Sequence, residues 1–159
     1  HNPFQCNLGY QVSLSGKGEW EKKADYVGKE ALEKMKAELA DGKKPYKLQL
    51  VGFELGGKPI DEYAPDFWLV SPEDGGDPCG FITSPWFHPE KGKNIAMGYI
   101  PFDGTLNANG FPKWELGKKF KVHLPDIYAD SPGEPVDAVT VEVPFTESHN
   151  ANTREVVKG

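Results

Sequence analysis

From Tyr46 onward the chain is a succession of short β-forming runs cut by glycine- and proline-bearing turns, and this limits its folds more than any other feature. Residues 47–55 alternate apolar and polar side chains, Gly56-Gly57 marks a tight turn, and Phe67 to Val70 is a short apolar run. Phe81 and Ile82 begin another run, and Ile95, Met97, Tyr99 and Ile100 a fourth. Phe120, Val122 and Leu124 alternate with Lys119, Lys121 and His123, and residues 136–143 close the series. At least six strands follow one helical stretch with no βαβ rhythm, which predicts a mainly β protein, a compact antiparallel barrel or sandwich. Periodicity alone does not choose between the two.

The preceding residues are of a different kind. Leu8, Tyr10, Val12 and Leu14 alternate as in a half-buried strand, and Ser15 to Gly18 break it. Trp20 stands in a charged segment, where packing over a junction is the simplest expectation. Residues 29–40 carry Ala31, Leu32, Met35 and Leu39 at helical spacing, with Asp25 or Gly28 as a start and Asp41-Gly42 as a stop. The charges on the opposite face, Lys29 to Lys36, are read as a solvated surface. From Thr146 the tail is polar and expected to be loose.

Composition excludes several functions. A chain of 159 residues holds one sizeable core, and 38% hydrophobic residues with 18 glycines and 14 prolines suit a loop-rich β protein. A net charge of -6 with a single arginine, Arg154, argues against a general nucleic-acid binder. Cys6 and Cys79 form no CxxC pair, so neither a disulfide framework nor a zinc site is expected. No apolar run reaches the about 20 residues of a membrane helix and no signal-peptide pattern is present, which predicts no membrane partner and a cytoplasmic location. The start at His1 without an initiator methionine is read as a fragment lacking a preceding segment.

A self-contained active site is hard to assemble from these residues. His1, His88, His123 and His149 are scattered without metal-ligand spacing, residues 71–78 lack the calcium-loop pattern, and neither GxSxG nor GxGxxG occurs. Ser84 has no base nearer than His88, four positions away. What stands out is Trp86, Phe87 and His88 held between Pro85 and Pro89, read as a loop between two strands. Two aromatics and an imidazole at such a tip call for burial against a ligand, another domain or the chain itself.

The residues that carry this loop also carry a family resemblance. Gly80 to Ser84 (GFITS), Pro85 to Pro89 (PWFHP) and Asn94 to Ile100 (NIAMGYI) resemble the C-terminal domain of the glycine-cleavage T-protein superfamily, with His88 where the family usually has serine. Residues 24–32 (ADYVGKEAL) resemble the family's helix start, and Val143 to Phe145 its closing Pro-Phe. Asn2 to Gly9 resemble the segment leading out of the preceding domain, with Gln5 and Asn7 departing from the usual Glu and Gly.

The resemblance implies a distorted Greek-key barrel of six or more strands over residues 46–146. Residues 1–45 would be the end of a preceding domain with a linking strand and helix, and residues 147–159 a polar tail. It further implies a tetrahydrofolate-dependent one-carbon transferase, moving an aminomethyl group from a lipoyl carrier protein or a methyl group from a small donor, as in dimethylsulfoniopropionate demethylase. N-terminal domains would supply the catalytic residues, leaving none in this chain and no turnover by the chain alone. The 83–89 loop would face the central cavity, making Trp86, Phe87 and His88 ligand-binding. Lys47, or else Lys44, would stand near the folate tail. The competing expectation is a stand-alone barrel that binds carbohydrate or protein through Trp68, Trp86 and Trp114.

Overall fold

Alternation along residues 48–55 places Gln49, Val51, Phe53 and Leu55 on one face. The computed structural model, which describes residues 1–12, 26–63 and 66–145, buries that face in strand β1 (Leu48–Leu55). Five further strands follow: β2 (Trp68–Pro72), β3 (Gly80–His88), β4 (Lys93–Pro101), β5 (Lys119–Val122) and β6 (Val136–Val141). They close into a barrel in the order β1-β4-β3-β2-β5-β6. Three consecutive strands, β2 to β4, are flanked by β1 beside β4 and by β5 beside β2, which is two overlapping Greek keys. Antiparallel registers pair Trp68 with Ile82, Val70 with Val122, Phe120 with Ala138 and Leu55 with Ala138. Closure leaves no strand edge unpaired, which answers the choice between barrel and sandwich that periodicity left open.

By packing, the chain divides into two units, residues 51–98 with 116–159 and residues 1–50 with 99–115, and it passes between them within β1 and β4. In the first unit the barrel interior is filled by Val51, Phe53, Val70, Ile82, Phe120 and Val122, each no more than 4% exposed. Phe53 meets Phe120 edge to face at 6.0 Å, and each such side chain contributes about 1.5–3 kcal/mol by leaving water. Gly98 faces inward on β4, where a Cβ would lie 2.6 Å from the Phe81 carbonyl oxygen. Only glycine permits that approach of β3 and β4.

The second unit is built on helix α1 (Lys29–Ala40), which turns Leu32, Met35 and Leu39 toward Phe4 and Phe102. Gly28 caps its start at φ 90° without a side-chain hydrogen bond. Gly42, at φ 73°, ends it, with the Lys43 N–H donating to the Glu38 carbonyl at 2.8 Å. Ala31, expected on the apolar stripe, is exposed.

The strand expected from Leu8 is not formed over the described residues: Gly9–Gln11 is a 3-10 helix, and Leu8 and Tyr10 are exposed. Two asparagines explain the difference. Asn2 Oδ1 accepts the Gln5 N–H, and Asn7 adopts φ 61° while donating its amide to the Leu50 carbonyl at 2.8 Å. Side-chain bonds of this kind compete with extended structure. Leu14, Trp20 and the tail from Thr146 lie outside the described residues.

Candidate functional site

Residues 83–88, expected as a loop, continue strand β3, and the turn is confined to residues 89–92, where the Gly92 N–H donates to the His88 carbonyl at 2.9 Å. Proline keeps its own φ and its predecessor's backbone within extended geometry, so a pair of prolines stiffens this strand instead of breaking it. Two bonds hold the segment: Thr83 Oγ1 donates to the Met97 carbonyl at 3.1 Å, and the Phe87 N–H donates to the Ile60 carbonyl at 2.9 Å.

In a strand, neighbours point to opposite faces. Trp86 therefore stands away from Phe87, and its side is half exposed at 50%. Phe87 is half-buried and lines a cleft. His88 is half-buried as well, with Nδ1 accepting the Lys91 N–H at 3.4 Å. The Ser84 hydroxyl goes to Thr83 Oγ1 at 3.4 Å. Four extended residues put Ser84 and His88 about 13 Å apart along the strand, too far for a nucleophile and its base. Lys47 is exposed immediately before β1 and belongs to the unit of residues 1–50 and 99–115, not to that of the three other candidates; the same holds for Lys44.

The cleft, about 570 Å³, lies within the unit of residues 51–98 and 116–159 and has an apolar wall of Leu55, Pro59 and Phe87. Charges stand along it: Glu54 with Lys93 at 2.6 Å, Glu73 with Lys119 at 3.2 Å, and Asp137 with Lys121 at 2.6 Å. Lys121 holds the exposed Asp137 carboxyl below its ordinary range by hydrogen bond and charge.

The residue that shapes this wall is Asn94, which sequence reasoning passed over. Its side chain is buried, its Oδ1 accepts the Ile60 N–H at 3.0 Å, and its Nδ2 donates to the Gly56 and Lys58 carbonyls at 3.1 and 2.9 Å. One amide thus ties down residues 56–60 after β1, and the Ile60 carbonyl in turn receives the Phe87 N–H. The available signal was an asparagine at an inward position of a strand otherwise filled by Ala96 and Gly98.

The other unit has a polar cluster of its own. Cys6 Sγ lies 3.7 Å from the Tyr99 hydroxyl, and His1 lies 5.0 Å from the Tyr99 ring. Burial, then the Cys6 contact, pushes the Tyr99 phenol up to about 12. Burial and the same thiol push Tyr46 well above its ordinary value. Its hydroxyl is buried without a hydrogen-bond partner, as is Gln49 Oε1, whose amide nitrogen donates to Asn7 and to the Phe4 carbonyl.

Among the described residues no three His, Cys, Asp or Glu side chains gather as a metal site, and no helix is long and apolar enough to cross a membrane. Trp68, one of the three tryptophans expected to form a stacking surface, is 4% exposed inside the barrel, 6.1 Å from the Tyr128 ring, and so cannot offer its face to a ligand.

Comparison with known proteins agrees with this architecture. Residues 49–147 match the model of the glycine cleavage T-protein C-terminal barrel domain. The chain is 31% identical over 136 residues to an aminomethyltransferase of Thermosynechococcus vestitus, covering 85% of this chain and 29% of that protein. It is 33% identical over 102 residues to one from Symbiobacterium thermophilum, with 64% of this chain and 22% of that protein covered. Against one from Rippkaea orientalis it is 28% identical over 148 residues, 93% of this chain and 31% of that protein. The crystal structure of glycine cleavage system aminomethyltransferase T from Bartonella henselae superimposes with a TM-score of 0.59 at 21% identity, covering 92% of this chain and 32% of that one. That likeness concerns the fold. The chain spans under a third of the length of each of these proteins.

Proposed function

This chain belongs to the glycine cleavage T-protein C-terminal barrel family, and from that we propose that it is the closing module of a tetrahydrofolate-dependent aminomethyltransferase. The observation that carries the reading is the family match over residues 49–147, which takes in the barrel from β1 to β6. The relatives named above are all aminomethyltransferases, which favours aminomethyl transfer from a lipoyl carrier protein over direct methyl transfer from a small donor.

The side chains present suit one part of such a ligand. Trp86 offers a half-exposed indole and Phe87, on the opposite face of β3, a cleft-lining ring, either of which is able to stack on a flat heterocycle or an aminobenzoyl ring. Lys47 is an exposed cation able to meet a carboxylate tail, and His88 offers a half-buried imidazole beside the turn. Tetrahydrofolate supplies the nitrogen that accepts the one-carbon group. What this chain contributes is positioning, since holding a reacting nitrogen in line converts an encounter into a nearly unimolecular step. The acid–base residues are assigned to the part of the relatives' length that this chain does not span.

The experiment is made on the polypeptide that joins this barrel to the remainder of the relatives' length. It should bind tetrahydrofolate, and Trp86→Ala should weaken binding by about tenfold, the loss of one aromatic contact. Unchanged binding in that variant would remove Trp86 from the site. No tetrahydrofolate binding by the joined polypeptide would remove the folate reading itself.

A further inference from the structure

Asn109 is the only asparagine in the chain that is followed by glycine. That order matters chemically. An asparagine side-chain amide is labile because the main-chain nitrogen of the next residue can attack its carbonyl carbon, and glycine, without a Cβ, hinders the attack least. A bond forms from Gly110 N to Asn109 Cγ, the Cγ–Nδ2 bond breaks, and the nitrogen leaves as ammonia with the Gly110 amide proton. Water then opens the cyclic imide. Opening at Cγ gives aspartate, and opening at the main-chain carbonyl gives isoaspartate, whose backbone runs through Cγ. Neither route oxidises or reduces anything.

The fold ties up the attacking nitrogen. The Gly110 N–H donates to the Asn107 carbonyl at 2.9 Å and Gly110 holds φ 76°, so residues 107–110 form a closed turn. Asn107 Oδ1 fastens it by accepting the Asn109 and Phe111 N–H groups at 2.9 and 3.1 Å. The Asn107 N–H donates in return to the Phe111 carbonyl at 2.7 Å, and Leu106 bridges to Pro112. Residues 107–110 are exposed, whereas Leu106 and Phe111 pack against the cluster of Phe4, Leu39 and Phe102. Water reaches the Asn109 amide; the nitrogen that must attack it is what the turn withholds.

We propose that Asn109 is a site of spontaneous conversion to aspartate and isoaspartate, gated by opening of the 107–110 turn. Attack requires the Gly110 N–H to leave the Asn107 carbonyl, a local opening that needs no global unfolding. The two products then differ. Aspartate leaves the backbone unchanged, but isoaspartate lengthens it inside the turn, so Asn107 cannot keep its bonds to both Gly110 and Phe111 while Phe111 stays on the core.

The chain of 159 residues is incubated at mildly alkaline pH, folded and in unfolding urea, then digested with trypsin. Mass spectrometry of the fragment 94–113, which also carries Asn94 and Asn107, locates the lost amide. In urea the loss should fall first on Asn109. The folded chain should react at least about tenfold more slowly. Hydrogen exchange at the Gly110 amide needs the same bond to open, so conversion should be slowed at least as much as exchange. Asn107→Ala removes both side-chain bonds and should speed conversion about tenfold. Asn107→Asp keeps the acceptor oxygen and should react as slowly as wild type, which decides the matter should Asn107→Ala unfold. The isoaspartate form, separated by chromatography, should unfold at lower urea than the aspartate form. Any of four results overturns the proposal: first loss at Asn94 or Asn107 in urea, equal rates with and without urea, conversion less protected than exchange, or Asn107→Asp reacting as fast as the unfolded chain. Equal midpoints for the two products would overturn the consequence drawn for Phe111.

Discussion

Replacing Asn94 by alanine isolates the device that builds the cleft wall. Three hydrogen bonds are lost, to Ile60 N–H and to the carbonyls of Gly56 and Lys58. At about 1 kcal/mol net for each bond the sum is about 3 kcal/mol, and more if the Ile60 N–H is left buried without a partner. With a urea slope of about 2 kcal/mol per molar, the midpoint of unfolding should fall by about 1.5 M. Aspartate provides a sharper version. It can still accept the Ile60 N–H, but its second oxygen faces two carbonyls where the amide donated to both. The carboxylate is disfavoured there, so its pKa in the folded state rises above the unfolded value of about 3.9. The folded state then holds the extra proton, and Asn94→Asp should gain stability relative to wild type as pH falls through that raised pKa and lose it as pH rises. Intrinsic fluorescence, with Trp68 buried in the barrel, follows the transition. A midpoint change below about 0.5 M for Asn94→Ala, or an Asn94→Asp deficit that does not depend on pH between about 4 and 7, would refute the account.

Further outcomes follow from single contacts. Gly98→Ala sets a Cβ 2.6 Å from the Phe81 carbonyl oxygen and should cost about 1–3 kcal/mol in urea unfolding. Gly57→Ala should be at least as harmful, because it combines φ 85° with a Cβ 2.4 Å from the Tyr128 carbonyl oxygen; an equal midpoint to wild type would contradict both. In an alkaline titration followed by tyrosinate absorbance, Tyr99 should ionise near its raised value of about 12. Unfolded tyrosine ionises first, near 10, so stability present below pH 10 should fall between pH 10 and about 12, and Tyr99→Phe should reduce that loss. Trp86→Ala in the isolated chain should change stability by less than about 1 kcal/mol, since half the residue is already in water; a larger loss would make it a packing residue.

Much of the fold was legible because its signals are local. Leu32, Met35 and Leu39 kept their helical spacing, with Gly28 and Gly42 at the helix ends, and Val51, Phe53 and Leu55 kept their strand spacing. Barrel closure was not local: it depends on β6 meeting both β1 and β5, a pairing no run of residues announces. Leu8 to Val12, the described part of the expected strand, misled because alternation was counted without the side chains of Asn2 and Asn7, which bond backbone and divert it into turns. The role of Asn94 was not legible for a related reason, although its inward position in the strand was. Its partners lie 34 to 38 residues earlier, and only the folded connection brings three backbone groups to one amide.

The aromatic tripeptide shows how one local misreading changes the function asked of a site. As a loop tip, Trp86, Phe87 and His88 could all converge on one ligand. As the end of β3 they cannot, because alternation sends Phe87 to the face opposite Trp86 and His88. One flat ring can lie on Phe87 within the cleft or on Trp86 outside it, but not on both. Ligand contact at the two residues must therefore be separable: if Trp86→Ala weakens tetrahydrofolate binding by the joined polypeptide about tenfold, Phe87→Leu should leave it unchanged. Equal loss in both single variants would mean that the strand bends on binding, returning the segment to the loop that its prolines suggested.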